Sequence, residues 1–299
     1  NKKSVFGIKD MLIDNDTIYI SYLKKYENGY STSIMQSKLS DTLEFKELLK
    51  SQEFVSNKSE EFSPVQSGGQ LTKYNKDSII VTIGEFRSRK LAQNDQSILG
   101  KILCVSKKDG GYKLLAKGVR NPLGIDYNNN SLIFTDMGPA NGDEINFISL
   151  AKKKDLFNFG WPISSYGFHY GYENYKKFTH NGDLSRKIEE APLYKSHEKH
   201  GFIEPIKWYK KNPGVSNIKF LREDNETITF ILSTMGWDKT HKERPLTRSF
   251  IIYKYNFKTK KIDIIEQIDV NERVRDFIIF NDNLFFTGET SGMIGKIKL

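Results

Sequence analysis

Short apolar and aromatic runs recur along the chain, each broken by a polar cluster. Thr17–Tyr22, Ser78–Ile83, Ser131–Thr135, Thr227–Leu232, Ser249–Tyr253 and Asn283–Thr287 are of this kind. They are rich in Ile, Val, Phe and Tyr, which suit a pleated, half-buried surface. The pattern predicts strands. Between them lie Asp14-Asn15-Asp16, Tyr74-Asn75-Lys76-Asp77, Asn128-Asn129-Asn130 and Asn281-Asp282. Asn and Asp tolerate left-handed backbone and bond back to nearby amides, so these clusters predict hairpin turns. Strand, Asn/Asp turn and strand return at irregular spacings of about 50 to 60 residues, which is a propeller-like signal. A β-sandwich with long loops is the competing architecture.

Helix signals are few. Leu43–Ser51 reads as a short amphipathic turn. Tyr166–Phe202 has no clean period and is rich in Gly, His, Tyr and Lys. It reads as a long loop excursion at about 165–202 on a single domain spanning 1–299, because loops of this length in compact domains are usually functional or disordered.

Composition narrows the classes. The chain has 299 residues, 37% hydrophobic and 28% charged, which excludes a disordered chain. No apolar run approaches the roughly 20 residues that cross a bilayer, and no signal peptide is visible at Asn1. The single cysteine, Cys104, excludes a disulfide scaffold and a multi-cysteine zinc site. The net charge is +9. The lysines that supply it are scattered in pairs and triples, as at Lys152-Lys153-Lys154 and Lys260-Lys261. They read as a solvated surface, so no nucleic-acid partner is expected. Arginines are few, and three of them fall in two short segments, Arg120 and Arg273-Val274-Arg275.

Those segments carry a resemblance. Gly118-Val119-Arg120-Asn121-Pro122-Leu123-Gly124 precedes a predicted strand. Asp136–Asn146 contains Gly138-Pro139 and Asp143-Glu144, with Asn158-Phe159-Gly160-Trp161-Pro162 downstream. Glu272-Arg273-Val274-Arg275-Asp276 opens the last strand group. With Gly68-Gly69-Gln70-Leu71 and Ser97–Leu103, this ordered set resembles the soluble pyrroloquinoline quinone (PQQ)-dependent aldose and glucose dehydrogenases, the glucose/sorbosone dehydrogenase family. The resemblance implies an all-β, six-bladed propeller of four-stranded blades. Lys9–Tyr22 resembles the family's second blade, so one blade is expected to be missing or reduced in this chain.

The resemblance also implies a chemistry. PQQ carries carboxylates, and the planar fork of arginine binds a carboxylate bidentately. Arg120, Asn121, Arg273 and Arg275 match the family's cofactor-contacting positions. Two residues apart in a strand, Arg273 and Arg275 would share a face. Calcium is implied beside the quinone, with oxygen ligands. Gly138 and Pro139 match the positions whose carbonyls serve there, and Asp143 and Glu144 are nearby carboxylates that would bind the metal or hold the loop. The family oxidises a sugar at its anomeric carbon, with a histidine as general base and the quinone as hydride acceptor. A periplasmic or secreted setting follows from the same resemblance, and the electron acceptor is not specified.

Three departures stand out. The base position is Gln66, which has no useful basicity. The family's glutamine after Asn-Pro is Leu123, and its lysine aligns with Met235. Loss of a general base costs about 10² to 10⁴ in rate. His169, His180, His197, His200 and His241 remain as substitute bases, and His197 with His200 as a metal pair. Three functions compete: a PQQ-dependent sugar dehydrogenase with an altered base, an inactive propeller of the same family that binds a sugar or a protein, and a calcium-dependent lactonase-type propeller. The third lacks support, because its chemistry needs several inward-facing carboxylates or amides and the motifs here match another family.

Overall fold

The computed structural model describes residues 7–27, 29–49, 51, 64–151, 156–168, 192–236 and 246–299. The chain divides into two compact units, 1–122 with 153–204, and 123–152 with 205–299.

The first unit holds two sheets. One runs in the order β1-β2-β3-β4, from Ile8–Asp14, Thr17–Tyr26, Gly29–Lys38 and Lys46–Leu49. The other is built from β5 (Gly68–Lys73), β6 (Ser78–Ile83), β7 (Lys101–Ser106) and β8 (Tyr112–Lys117).

The second unit holds three sheets. The first contains β9 (Pro122–Asn128), β10 (Ser131–Asp136) and β11 (Glu144–Ser149). β13 (Lys207–Trp208) joins β11, while the two-residue β12 (Phe157–Asn158) belongs to the first unit and pairs in parallel with β8 there. The next sheet is β14 (Val215–Glu223), β15 (Thr227–Thr234), β16 (Ser249–Asn256) and β17 (Ile262–Asp269). The last is β18 (Val274–Phe280), β19 (Asn283–Gly288) and β20 (Ile294–Lys298).

Six four-stranded sheets are not found among the described residues. The described residues form five, of four, four, five, four and three strands. The number six came from the family resemblance and not from the strands in the sequence. The alternation of strands and Asn/Asp turns matches the structure closely. Asn15, Asn129, Asn130, Asn281 and Asp282 all have positive φ, between 42° and 66°, which closes tight antiparallel hairpins.

Burial explains why the runs are so apolar. β6 and β10 are buried almost throughout, whereas the outer strand β17 is mostly exposed. Strands covered on both faces read as continuous hydrophobic runs. The core of the first unit includes Ile34, Ile79, Val81, Ile83, Phe86 and Leu103. The second unit has one core around Ile133, Ile218, Phe230 and Tyr253 and another around Phe250, Val274, Phe277 and Leu284.

Two local expectations are corrected. Lys46–Leu49 within the supposed helical turn is strand β4. A lone turn of helix is marginal, whereas pairing with β3 satisfies the backbone and buries Leu48 and Leu49. Ser97–Leu103, which resembles a strand ending a blade of the family, becomes strand only at Lys101. Gly100 sits at φ 66°, and the buried Lys101 ammonium donates to the carbonyls of Leu91, Ala92 and Leu99 at 2.7–3.0 Å, fixing a turn there. Helix among the described residues is confined to 3₁₀ turns at Arg89–Gln93 and Glu198–His200. None of the described helices is long and apolar enough to cross a membrane.

Candidate functional site

In the first unit the residues that matter converge where β5, β6 and the segment before β9 meet. The Gln66 carbonyl accepts from the Phe86 amide and the Ser67 carbonyl from the Gly84 amide, both at 2.9 Å. A Cβ at Gly84 would collide with the Gln66 carbonyl, so the crossing needs glycine. Gln66 is 5% exposed. Its side chain lies inside the fold, without a basic nitrogen.

Asn121 is buried, and its Oδ1 accepts from the Gly68 amide at 3.4 Å. That bond ties the segment before β9 to the start of β5. The Arg120 guanidinium carbon lies 5.4 Å from the centre of the Trp161 ring, a cation–π contact between two buried side chains. Trp161 is held in place by its amide, which donates to Gly118 at 2.9 Å, and by its carbonyl, which accepts from Gln93 at 2.7 Å. Its indole Nε1 is buried without a hydrogen-bond partner among the described residues.

Two buried charged residues of this region were not foreseen in the sequence, Glu85 and Arg89. Glu85 is fully buried, and its amide donates to the Arg120 carbonyl at 2.9 Å. Burial pushes its carboxyl up to about 7, against the opposing pull of Arg120 and Arg89. The only hint in the sequence is a carboxylate directly after the apolar run of β6 and Gly84.

Of the five histidines, His169, His180 and His241 lie outside the described residues, as does the centre of the loop excursion. Its described ends are joined by a bridge between Ser164 and Tyr194. His197 is buried. Its Nδ1 is 3.0 Å from the Ser164 hydroxyl, and its ring stacks on Tyr166. Burial lowers its pKa to about 4, so at neutral pH it is an uncharged structural group. His200 stacks on Tyr194 with ring centres 4.3 Å apart. Among the described residues no three His, Cys, Asp or Glu side chains group as a metal site.

In the second unit Asp143 holds the Gly138-Pro139 loop. Its Oδ1 accepts from the Gly138 amide at 3.1 Å, and its Oδ2 accepts from the amides of Gly214 and Val215 at 3.2 and 3.1 Å. Glu144 opens β11, is 7% exposed, and accepts from the Asn146 amide group. Leu123 lies on β9, and Met235 is buried, with its amide on the Gly214 carbonyl.

Arg273 and Arg275 flank the buried Val274 and meet one carboxylate. Arg275 Nε is 2.6 Å and Arg273 Nε 3.4 Å from Glu289 Oε2. Arg273 also donates to the Gly236 carbonyl at 2.7 Å. Arg273 precedes β18 and Arg275 lies in it, so strand alternation does not relate the two; what they have in common is Glu289, which was not foreseen. It pairs with them through the β18–β19 hairpin.

The strand content and strand grammar define an all-β protein of the β-propeller class. The family model described as Glucose / Sorbosone dehydrogenase matches residues 7–235, and the chain belongs to that family. It is 26% identical over 243 residues to the aldose sugar dehydrogenase YliI of Escherichia coli K12. That match covers 73% of this chain and 58% of the relative's length. The apo crystal structure of the soluble E. coli aldose sugar dehydrogenase superposes with a TM-score of 0.67 at 22% identity, over 92% of this chain and 76% of that one. The PQQ-bound aldose sugar dehydrogenase of Streptomyces coelicolor gives 0.63 at 14% identity, over 100% and 81%.

Proposed function

We propose that this chain is a PQQ-binding member of the sugar-dehydrogenase family whose base position is occupied by Gln66. The observation that carries the reading is the buried Arg120 on the face of Trp161, with the donor of that indole unmet. A planar, polyanionic ring system suits a buried guanidinium and an indole N–H. Arg120 would bind a cofactor carboxylate, and Asn121 would hold the turn beneath it. Arg273 and Arg275 would bind carboxylates in the second unit, each releasing its hold on Glu289.

When bound, PQQ would supply an ortho-quinone that accepts a hydride from the anomeric carbon of a sugar. The residues of this chain would orient the sugar hydroxyl. At Gln66 a side-chain amide can accept or donate a hydrogen bond but cannot take the proton at neutral pH. Calcium is proposed at the carbonyls of Gly138 and Pro139. Asp143 supports that loop rather than coordinating, because backbone amides occupy both its oxygens. Glu144 is the remaining carboxylate there.

A second reading, a catalytically inactive member that binds a sugar or protein, is favoured by Gln66 itself. Residues 1–299 are proposed to act as one domain in a periplasmic or secreted setting, with a sugar as small-molecule partner and an acceptor yet to be named. Titration with PQQ and calcium, followed by absorbance, tests the binding. Assay of the loaded protein with aldoses and an artificial electron acceptor separates the two readings.

A further inference from the structure

Glu85 has no part in the reading above, yet it is the most constrained carboxyl in the first unit. It is fully buried, and Arg89 and Arg120 beside it are 5% and 4% exposed. Its backbone is pinned from three directions. Its own amide bonds to Arg120, and the flanking amides of Gly84 and Phe86 bond to Ser67 and Gln66. Phe86 and Arg87 follow at φ 53° and 67°. Two successive non-glycine residues in the left-handed region persist only where the surroundings hold them. The turn therefore keeps this carboxyl inside the fold, where the charges of the buried Arg120 and Arg89 act on it.

We propose that Glu85 is a positioning residue for Arg120: a buried counter-ion that orients the guanidinium and takes up a proton when Arg120 binds a carboxylate of an anionic ligand. The proposal rests on the reading of Arg120 as a carboxylate-binding arginine. With Glu85 ionised, the Glu85–Arg89–Arg120 cluster carries one net positive charge. A ligand carboxylate at Arg120 places a second anion in a space shielded from water. Protonating Glu85 relieves that repulsion and leaves Arg120 wholly to the ligand. Coupling of this kind is reciprocal, so proton uptake and ligand affinity change together.

The group is poised for the exchange. Burial raises its carboxyl to about 7, while the charges of Arg120, Arg89 and Arg87 and a hydrogen bond from the Arg87 amide oppose the rise. The sign follows. Ligand binding is strongest where Glu85 is protonated and weakens as pH rises above neutrality.

The test is calorimetric titration of PQQ into the calcium-loaded protein, in buffers of different ionisation enthalpy. Wild type is expected to take up about 0.7 proton per PQQ at pH 7.5. Its affinity should fall by up to about 20-fold between pH 6.5 and 8.5. Glu85→Gln, uncharged and of the same shape, should bind with no proton uptake and a flat pH profile. Infrared titration of the ligand-free protein gives an independent readout. A carboxyl band with a midpoint near neutrality should vanish in Glu85→Gln and move to higher pH in Arg120→Gln. PQQ binding without proton uptake overturns the proposal, as does a carboxyl band indifferent to Arg120→Gln. If that variant fails to fold, Glu85→Gln alone decides. If the band responds as expected and PQQ binds at no pH, the cofactor reading falls while the Glu85–Arg120 pairing stands.

Discussion

Arg275 and Glu289 form a 2.6 Å ion pair, and the same carboxylate also holds Arg273 at 3.4 Å. The two arginines proposed to bind the cofactor are therefore engaged before any ligand arrives. A ligand carboxylate has to displace Glu289. Arg275 is 56% exposed, so solvent screens the pair and it is worth under about 1 kcal/mol. Glu289→Ala is expected to tighten PQQ binding by about two- to fivefold and to leave stability within about 0.5 kcal/mol. Equilibrium titration of variant and wild type checks this, and weaker binding by the variant would contradict it.

Asp143 accepts three backbone amides from Gly138, Gly214 and Val215. Removing a buried charged acceptor leaves those donors without a partner. Asp143→Ala is expected to cost about 3 kcal/mol in urea unfolding, and Asp143→Asn less, since it keeps one acceptor oxygen. A loss under about 1 kcal/mol for the alanine variant would show that the loop is held by other means.

His197 gives a pH dependence of definite sign. Its folded pKa is lowered by burial to about 4, against an ordinary value of 6.5. The unfolded chain therefore binds the proton first as pH falls. The contribution of His197 to stability is fully present above about 6.5 and is lost progressively down to about 4. The difference amounts to about 3 kcal/mol at most. Glu85 acts in the opposite sense, because its folded pKa is raised from 4.5 to about 7. Its contribution is present below about 4.5 and is lost as pH rises to about 7. Unfolding of His197→Gln and Glu85→Gln across pH 4–8 separates the two, with slopes of opposite sign removed. Slopes changed in the same direction would refute the assignment.

The strands and their turns were legible because both are local. Ser78–Ile83 ends where its apolar run ends, and Asn129 and Asn130 take the left-handed backbone that their side chains favour. The propensity of a single segment says little about an edge strand such as Lys46–Leu49, which exists through its pairing with β3. The arginines proposed for the site were picked out by motif order. Their counter-ions were not. Glu85 is turned inward by Phe86 and Arg87, which carry no left-handed signature in sequence. Glu289 reaches Arg275 only through the β18–β19 hairpin. The central part of the loop, with His169 and His180, lies outside the described residues.

Gln66 is the residue on which the proposed function turns, and the most direct measurement is aldose-dependent reduction of an artificial electron acceptor by the PQQ- and calcium-loaded protein. Wild type is expected to bind PQQ yet turn over weakly or not at all, while Gln66→His regains some activity. The gain from a restored general base would be about 10²-fold or more. Robust turnover by wild type, equal to or above that of Gln66→His, would contradict the account.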